Sequence, residues 1–217
     1  SLGDPLQYFL DMKSWSMSWA AKLRGWGWAG YRFGEPYFAL GSTSLFRDRS
    51  PSWKHRIFQT VERSTKLGGV SLSDEVLEYY TRLLFDVRPR FIYGYASSLY
   101  IWAEFLLRQR ISVDFVKACF PTSEVLYPSY RSTIEKGFGC EVYNDYGARD
   151  GGVRAFECEM HDGLHLTMES CIVEVVDPKT SKRTEALGDL VLTDLLNFAQ
   201  PFIRYRIGDA GRLSSEI

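Results

Sequence analysis

Hydrophobic positions recur near every 3.6 residues from Leu6 to about Ala29, where Tyr8, Phe9, Trp15, Trp19 and Leu23 fall on one stripe. That period predicts a helix, loosened at its end by Gly25, Gly27 and Gly30. PYFALG (Pro36 to Gly41) reads as a short buried strand, and the polar, basic stretch from Phe46 to Lys66 as a surface helix with irregular flanks. SLSDEVLEYYTRLLFDVRP carries complete helix punctuation: Ser73 to cap, Asp74 and Glu75 in the first turn, Pro89 after the stop. RFIYGY then predicts a strand and SSLYIWAEFLLRQR an amphipathic helix, with Ser97 as its expected N-cap. VKACFPTSE, YPSYRSTIEKGFG and CEVYNDYG continue as strand, helix and strand.

Strand, loop and helix thus alternate over the first two-thirds, which predicts a parallel sheet with helices on its faces. Past Asp150 the segments VRAFECE, LHLTMES, CIVEVVD, GDLVLTDL and PFIRYRIG follow closely, with turn residues between them. They predict an antiparallel β region. The fold class is therefore α/β, a parallel sheet flanked by helices followed by antiparallel strands. Two subdomains are expected, residues 1–150 and 151–217.

Composition narrows the partners. The 217 residues are 45% hydrophobic and 24% charged, with a formal net charge of -1. That is a globular composition without the electrostatic footprint of a nucleic-acid or anionic-membrane binder. No apolar run approaches the ~18 residues of a membrane span. Cys119, Cys140, Cys158 and Cys171 are scattered, so reduced thiols and a cytoplasmic location are expected. Aromatic residues make up 15%, which suits pockets for flat ligands and core packing alike.

Three segments follow predicted strands and hold the candidate chemistry: PTSEVL (Pro121 to Leu126), NDYGARDGG (Asn144 to Gly152) and YRIGD (Tyr205 to Asp209). In open parallel sheets, ligands sit at the carboxyl ends of strands. Taken alone, Gly208-Asp209 reads as a hairpin turn and Tyr146 as a core tyrosine. Taken together, the three segments resemble the adenylate-forming ligase superfamily, in its phenylacetate–CoA ligase branch and the related capsular-polysaccharide adenylating proteins. GDLVLTDLLNFAQPFIRYRIGDAG is similar to the ribose-binding block of that family over its full length. SLGDPLQYF resembles the tail of its phosphate loop, with leucine at position 2 where threonine is expected.

The resemblance implies ATP-dependent adenylation of a small carboxylic acid, with an aryl acid such as phenylacetate as one candidate, then thioester formation with CoA. By the same resemblance Asp209 grips the ribose, through hydrogen bonds to an ionised acceptor. Tyr146, followed by Gly147, offers adenine a stacking face, and Thr122, Ser123 and Glu124 form the loop along the adenine edge. Arg206 joins the nucleotide-binding block. Arg149 stands where members contact phosphate, and Asp150 replaces a glutamate that helps hold Mg²⁺, one methylene shorter. Tyr93, Gly94, Tyr95, Ser97 and Ser42 correspond to acyl-pocket positions, and core packing or capping explains them equally well. Cys158 and His165, with His161 between them, raise Zn²⁺, although their spacing matches no zinc signature.

A C-terminal lid domain carrying the adenylation lysine is not among these residues, so the chain alone is expected to be inactive or nearly so. An adenylating nucleotide-binding protein of polysaccharide biosynthesis, without the CoA step, is the alternative. A homodimer is compatible with either reading.

Overall fold

The computed structural model describes residues 6–42 and 61–214. The chain divides into two compact units. One is built from Leu23–Asp145 and Phe156–Leu164; the other takes residues up to Lys22, Tyr146–Ala155 and residues from His165 on.

The first unit is layered α/β. Its strands are β1 (Tyr37–Gly41), β2 (Ser64–Gly68), β3 (Phe91–Tyr95), β4 (Ala118–Thr122) and β5 (Glu141–Val142). They run parallel in the order β2-β1-β3-β4, and β5 and Asp145 at the start of β6 (Asp145–Gly147) also pair with β4. Their near-continuous burial is what a sheet covered on both faces requires. Gly94 lets β3 approach β1: a Cβ there would lie 2.4 Å from the Leu40 carbonyl oxygen.

α1 (Met12–Trp28) precedes this sheet, and α2 (Asp74–Val87), α3 (Ala96–Arg108) and α4 (Pro128–Phe138) connect its strands. α1 begins six residues later than the apolar stripe suggests. Asp11 sets the boundary, accepting the Ser14 N–H through Oδ1 at 2.8 Å. Ser73 caps α2 as expected, and Arg88 closes it in a left-handed conformation. The core packs Phe38, Leu84, Leu99, Trp102, Leu106 and Phe138, all fully buried. The Trp102 indole N–H is satisfied by Thr81 Oγ1 at 3.0 Å, so the ring buries no orphaned donor. Trp26 stacks on Phe120 at 4.4 Å between ring centres and donates to Asp145 Oδ2 at 3.1 Å.

Two expectations need correction here. Ser64–Lys66, read as the end of a surface helix, belong to β2, which pairs along β1 from Tyr37↔Ser64 to Gly41↔Gly68. A strand of mostly polar and small residues shows no alternation, and backbone pairing decides its conformation. Val61 and Glu62, just before it, are helical as expected, and residues 46–60 lie outside the described residues. Ser97 does not cap α3: the N-cap is Tyr95, and the Ser97 N–H is instead capped by Glu124 Oε2 at 2.7 Å.

The second unit is β-rich. β9 (Cys171–Val176), β10 (Gly188–Asp194) and β11 (Tyr205–Gly211) form an antiparallel sheet in the order β11-β10-β9. The shorter β7 (Arg154–Phe156) and β8 (His165–Leu166) occupy parts of the segments read as full strands. A small core of Val153, Cys171 and Leu192 has Tyr146, Ala148, Leu166, Val173 and Ile207 packed around it. No helix among the described residues is long and apolar enough to cross a membrane.

Candidate functional site

β11 alternates. Tyr205 and Ile207 are half-buried, whereas Arg204 and Arg206 are exposed, so the charges lie on the opposite face from the apolar positions. Both arginines are engaged within the antiparallel sheet region. Arg204 Nε bonds Glu174 Oε2 at 3.0 Å, while Arg206 reaches Ser181 Oγ at 3.0 Å and Asp189 Oδ2 at 3.4 Å. The structure therefore gives Arg206 one partner on β10 and one in the turn between β9 and β10.

The ladder with β10 breaks where the acid sits. Asp189 pairs with Ala210 and Val191 with Arg206. A two-residue step on β10 thus meets a four-residue step on β11, leaving two extra residues on β11 (four minus two). Gly208 lies in this bulge at φ 92, a left-handed conformation that glycine adopts without strain. A bulge re-aims side chains, and here Asp209 is lifted out of the ladder into an exposed position.

Two contacts join this strand to the segment from Tyr146 to Asp150. The Tyr146 hydroxyl donates to Asp209 Oδ2 at 2.8 Å, and the Tyr205 hydroxyl donates to Asp150 Oδ2 at 3.2 Å. Tyr146 packs against the small core and sets its hydroxyl on the carboxylate. Burial and then the Asp209 carboxylate push its phenol well above the ordinary value near 10. Tyr205 is raised for the same two reasons, burial first and Asp150 second. Both phenols are therefore held as neutral donors to an acceptor carboxylate.

Tyr8 belongs to the same unit. Its ring stands edge-on to Phe202 at 5.5 Å, and Phe202 in turn contacts Tyr205 at 5.0 Å. Burial pushes the Tyr8 phenol up to about 12, with Asp150 and Asp194 adding to the effect and Arg149 and Arg154 opposing it. Arg149 is exposed and Asp150 half-buried. Asp194 Oδ1 accepts the N–H groups of Leu196 and Asn197 at 2.8 and 3.0 Å, while its Oδ2 is buried without a hydrogen bond. Asn197, itself buried, donates to the carbonyls of Phe9 and Gln200 and accepts from Asp11 N. This ties residues 9–11 to the turn that leads into β11.

Of the sequence-derived residues, Tyr146, Gly147, Arg149, Asp150, Arg206 and Asp209 lie in this second unit, and the structure brings Tyr146 to Asp209. Thr122, Ser123 and Glu124 lie in the first unit. Thr122 is the buried last residue of β4, Ser123 adopts a left-handed φ of 64, and Glu124 is occupied as the cap of α3. There too the Ser42 and Tyr95 hydroxyls meet at 2.6 Å. Sequence reasoning placed Tyr205 in a candidate segment without giving it a role, and missed Asp194 and Asn197. The alternation of β11 was the available signal for Tyr205, since it shares a face with Ile207.

Metal chemistry divides by ligand type. Mg²⁺ takes one or two carboxylates and completes its shell with phosphate oxygens and water. Asp150, an oxygen donor oriented by a phenol, fits that demand. Among the described residues no group of three or more His, Cys, Asp or Glu side chains gathers to hold a metal ion.

No protein-family model matches the chain. It is 29% identical over 145 residues to protein CapK of Staphylococcus aureus, covering 66% of this chain and 31% of that protein. It is also 29% identical over 151 residues to phenylacetate-coenzyme A ligase of Pseudomonas putida, covering 66% and 34%. The chain thus spans about a third of the length of these curated relatives. Among solved structures, an open conformation of 2-hydroxyisobutyryl-CoA ligase, in complex with 2-HIB-AMP and CoA, matches with a TM-score of 0.74 at 21% identity. That match covers 97% of this chain and 50% of the other. A long-chain-fatty-acid-CoA ligase from Archaeoglobus fulgidus matches at 0.67 with 9% identity, over 94% and 46%. The α/β architecture with its separate antiparallel sheet is the fold these ligases share.

Proposed function

We propose that the chain is the nucleotide-gripping part of an AMP-forming acid–CoA ligase-like protein. The whole protein would activate a carboxylic acid with ATP and pass the acyl group to CoA. In the first step a carboxylate oxygen attacks the α-phosphorus of ATP, the bond to the β-phosphate breaks, and pyrophosphate leaves. In the second the CoA sulfur attacks the acyl carbon and AMP leaves. The observation that supports this reading most is the 2.8 Å contact of Tyr146 with Asp209 at the β11 bulge. It sets a flat aromatic face beside an exposed carboxylate, the pair needed to stack a base and accept hydrogen bonds from its sugar. The AMP-bearing and CoA-bearing complexes of the structural neighbour support the same ligand classes.

In this reading Asp209 takes the ribose hydroxyls, Tyr146 stacks the adenine, and Arg149 meets phosphate. Asp150 would hold Mg²⁺, which supplies positive charge against the phosphates when bound. Tyr205 keeps the Asp150 carboxylate turned towards that task. The division of the nucleotide-binding residues into subdomains 1–150 and 151–217 belongs to the same proposal. The likeness to CapK favours a second reading, an adenylating protein without the thioester step.

Titration of the chain with ATP and with AMP, wild type against Asp209→Ala, tests the proposal. Loss of at least tenfold in affinity for both nucleotides is expected. Unchanged binding by the alanine variant removes Asp209 from the ribose role. Acid-dependent pyrophosphate release by the whole protein, with and without CoA, then separates the two readings.

A further inference from the structure

Cys119 and Cys140 stand apart from the nucleotide chemistry. Cys119 lies in β4, fully buried among the core residues of the first unit. Cys140 follows Gly139, the left-handed C-cap of α4 at φ 62, and is partly exposed. The Cys140 S–H points at Cys119 Sγ across 3.6 Å. The two thiols are therefore in contact, one shielded and one open to solvent. Cys171, the other buried thiol, instead gives its S–H to the Ile172 carbonyl at 3.3 Å.

We propose that Cys119 and Cys140 form a peroxide-responsive thiol pair that closes to a disulfide. Hydrogen peroxide oxidises the Cys140 sulfur to a sulfenic acid and one water leaves. The Cys119 sulfur then attacks that sulfur, the S–O bond breaks, and the oxygen leaves as a second water with the Cys119 proton. Two electrons pass from the thiols to the peroxide, and one S–S bond replaces two S–H bonds. The order follows from access. Cys140 meets the oxidant, whereas Cys119 is sealed in the core and can react only with the sulfur it touches, giving its proton to the departing oxygen.

A disulfide needs its sulfurs at about 2.05 Å, so they must close by roughly 1.5 Å. The backbone allows this on one side only. Cys119 is fixed in the ladder opposite Val142, but Cys140 precedes β5 in the bend between helix and strand. The bridge would lock the end of α4 to β4, the strand that runs on to Thr122 and the Glu124 cap of α3.

The test treats the intact 217-residue chain with hydrogen peroxide, blocks remaining thiols with iodoacetamide, and digests it without reductant for mass spectrometry. A linked peptide pair containing Cys119 and Cys140 is expected, two hydrogens lighter than the separate peptides and lost on adding dithiothreitol. Cys119→Ser should leave Cys140 as a sulfenic acid that dimedone traps, and Cys140→Ser should abolish the link. Alkylation of both cysteines at every peroxide dose overturns the proposal. So does oxidation of Cys140 to the sulfinic acid while Cys119 is still alkylated, or a link from Cys140 to Cys158 or Cys171.

Discussion

Tyr146→Phe isolates the contact on which the nucleotide reading rests. The substitution keeps the ring and removes the hydroxyl that donates to Asp209 Oδ2 at 2.8 Å. Hydrogen bonds to a charged partner contribute about 1.5–3 kcal/mol net. Asp209 is exposed, so solvent competes and the lower end applies, about 1.5 kcal/mol. If the hydroxyl orients the carboxylate for the sugar, that loss corresponds to roughly tenfold in the dissociation constant for ATP or AMP. Tyr146→Ala removes the stacking face as well and should cost about 1–3 kcal/mol more. Calorimetric titration of wild type, Tyr146→Phe, Tyr146→Ala, Asp209→Asn and the Tyr146→Phe/Asp209→Asn double variant gives the ordering and the coupling energy. The pH dependence has a definite sign. The folded phenol is raised above 10, so its donor is intact below that value and is lost only as pH rises through the higher folded value. Affinity should thus be flat from about pH 7 to 9 as far as Tyr146 is concerned. Equal affinities for the Phe and Ala variants refute the stacking role. A Phe variant that binds like wild type refutes the orienting hydroxyl.

Two further substitutions test the first unit. Gly94→Ala drives a methyl group to within 2.4 Å of the Leu40 carbonyl oxygen, a backbone atom that can yield only if β1 moves. A loss of about 1–3 kcal/mol in urea unfolding is expected, and an unshifted midpoint contradicts the close approach of β1 and β3. Arg131→Ala strips Glu157 of a forked pair of 2.7 Å hydrogen bonds, leaving a carboxylate with only 6% of its side chain exposed. The Asn144 N–H at 2.8 Å is then its main remaining donor. Breaking such a buried pair costs about 3–5 kcal/mol. Adding Glu157→Gln to Arg131→Ala should recover part of it, and no recovery would mean that the arginine's packing and its 2.6 Å bond to the Val142 carbonyl, rather than the unpaired charge, carry the loss.

What the sequence made legible follows the strength of each local signal. α2 was readable because Ser73, Asp74, Glu75 and Pro89 each mark a boundary whose hydrogen bonds are local. The start of α1 was not, because Tyr8 and Phe9 extend the apolar stripe past its true cap. Tyr8 is half-buried against Phe202, almost two hundred residues away in sequence, while Phe9 is exposed. β2 was hidden for the opposite reason: STKLG holds one buried apolar side chain, and its place depends on a backbone partner. At the site, the Asp209 bend could be seen as a glycine before an acid. The bulge could not, since it depends on how many residues of β10 face those of β11. The cap of α3 by Glu124 was invisible for the same reason, as donor and acceptor lie 27 positions apart.

That bulge also explains why one strand can serve two purposes. Period-two alternation puts Tyr205 and Ile207 on a common face, the bulge at Gly208 turns Asp209 to the Tyr146 hydroxyl, and Ile207 is the member that packs against the small core. The apolar residue anchors the strand, and the polar residues on either side of it meet the segment from Tyr146 to Asp150 at two points. The two pairs run in opposite directions. At one end the strand supplies the phenol and the segment the acid, and at the other end the roles exchange. Each acid is therefore held by a neutral donor from the opposite element, so neither carboxylate needs a cation of the protein to keep it in place. Carboxylates restrained in this way keep their charge for a ligand with hydroxyl donors or a metal ion. A site built mainly of arginines would instead select for anions alone. The pairing of phenol with acid at both ends of β11 is thus a physical reason to expect a sugar at Asp209 and a cation at Asp150.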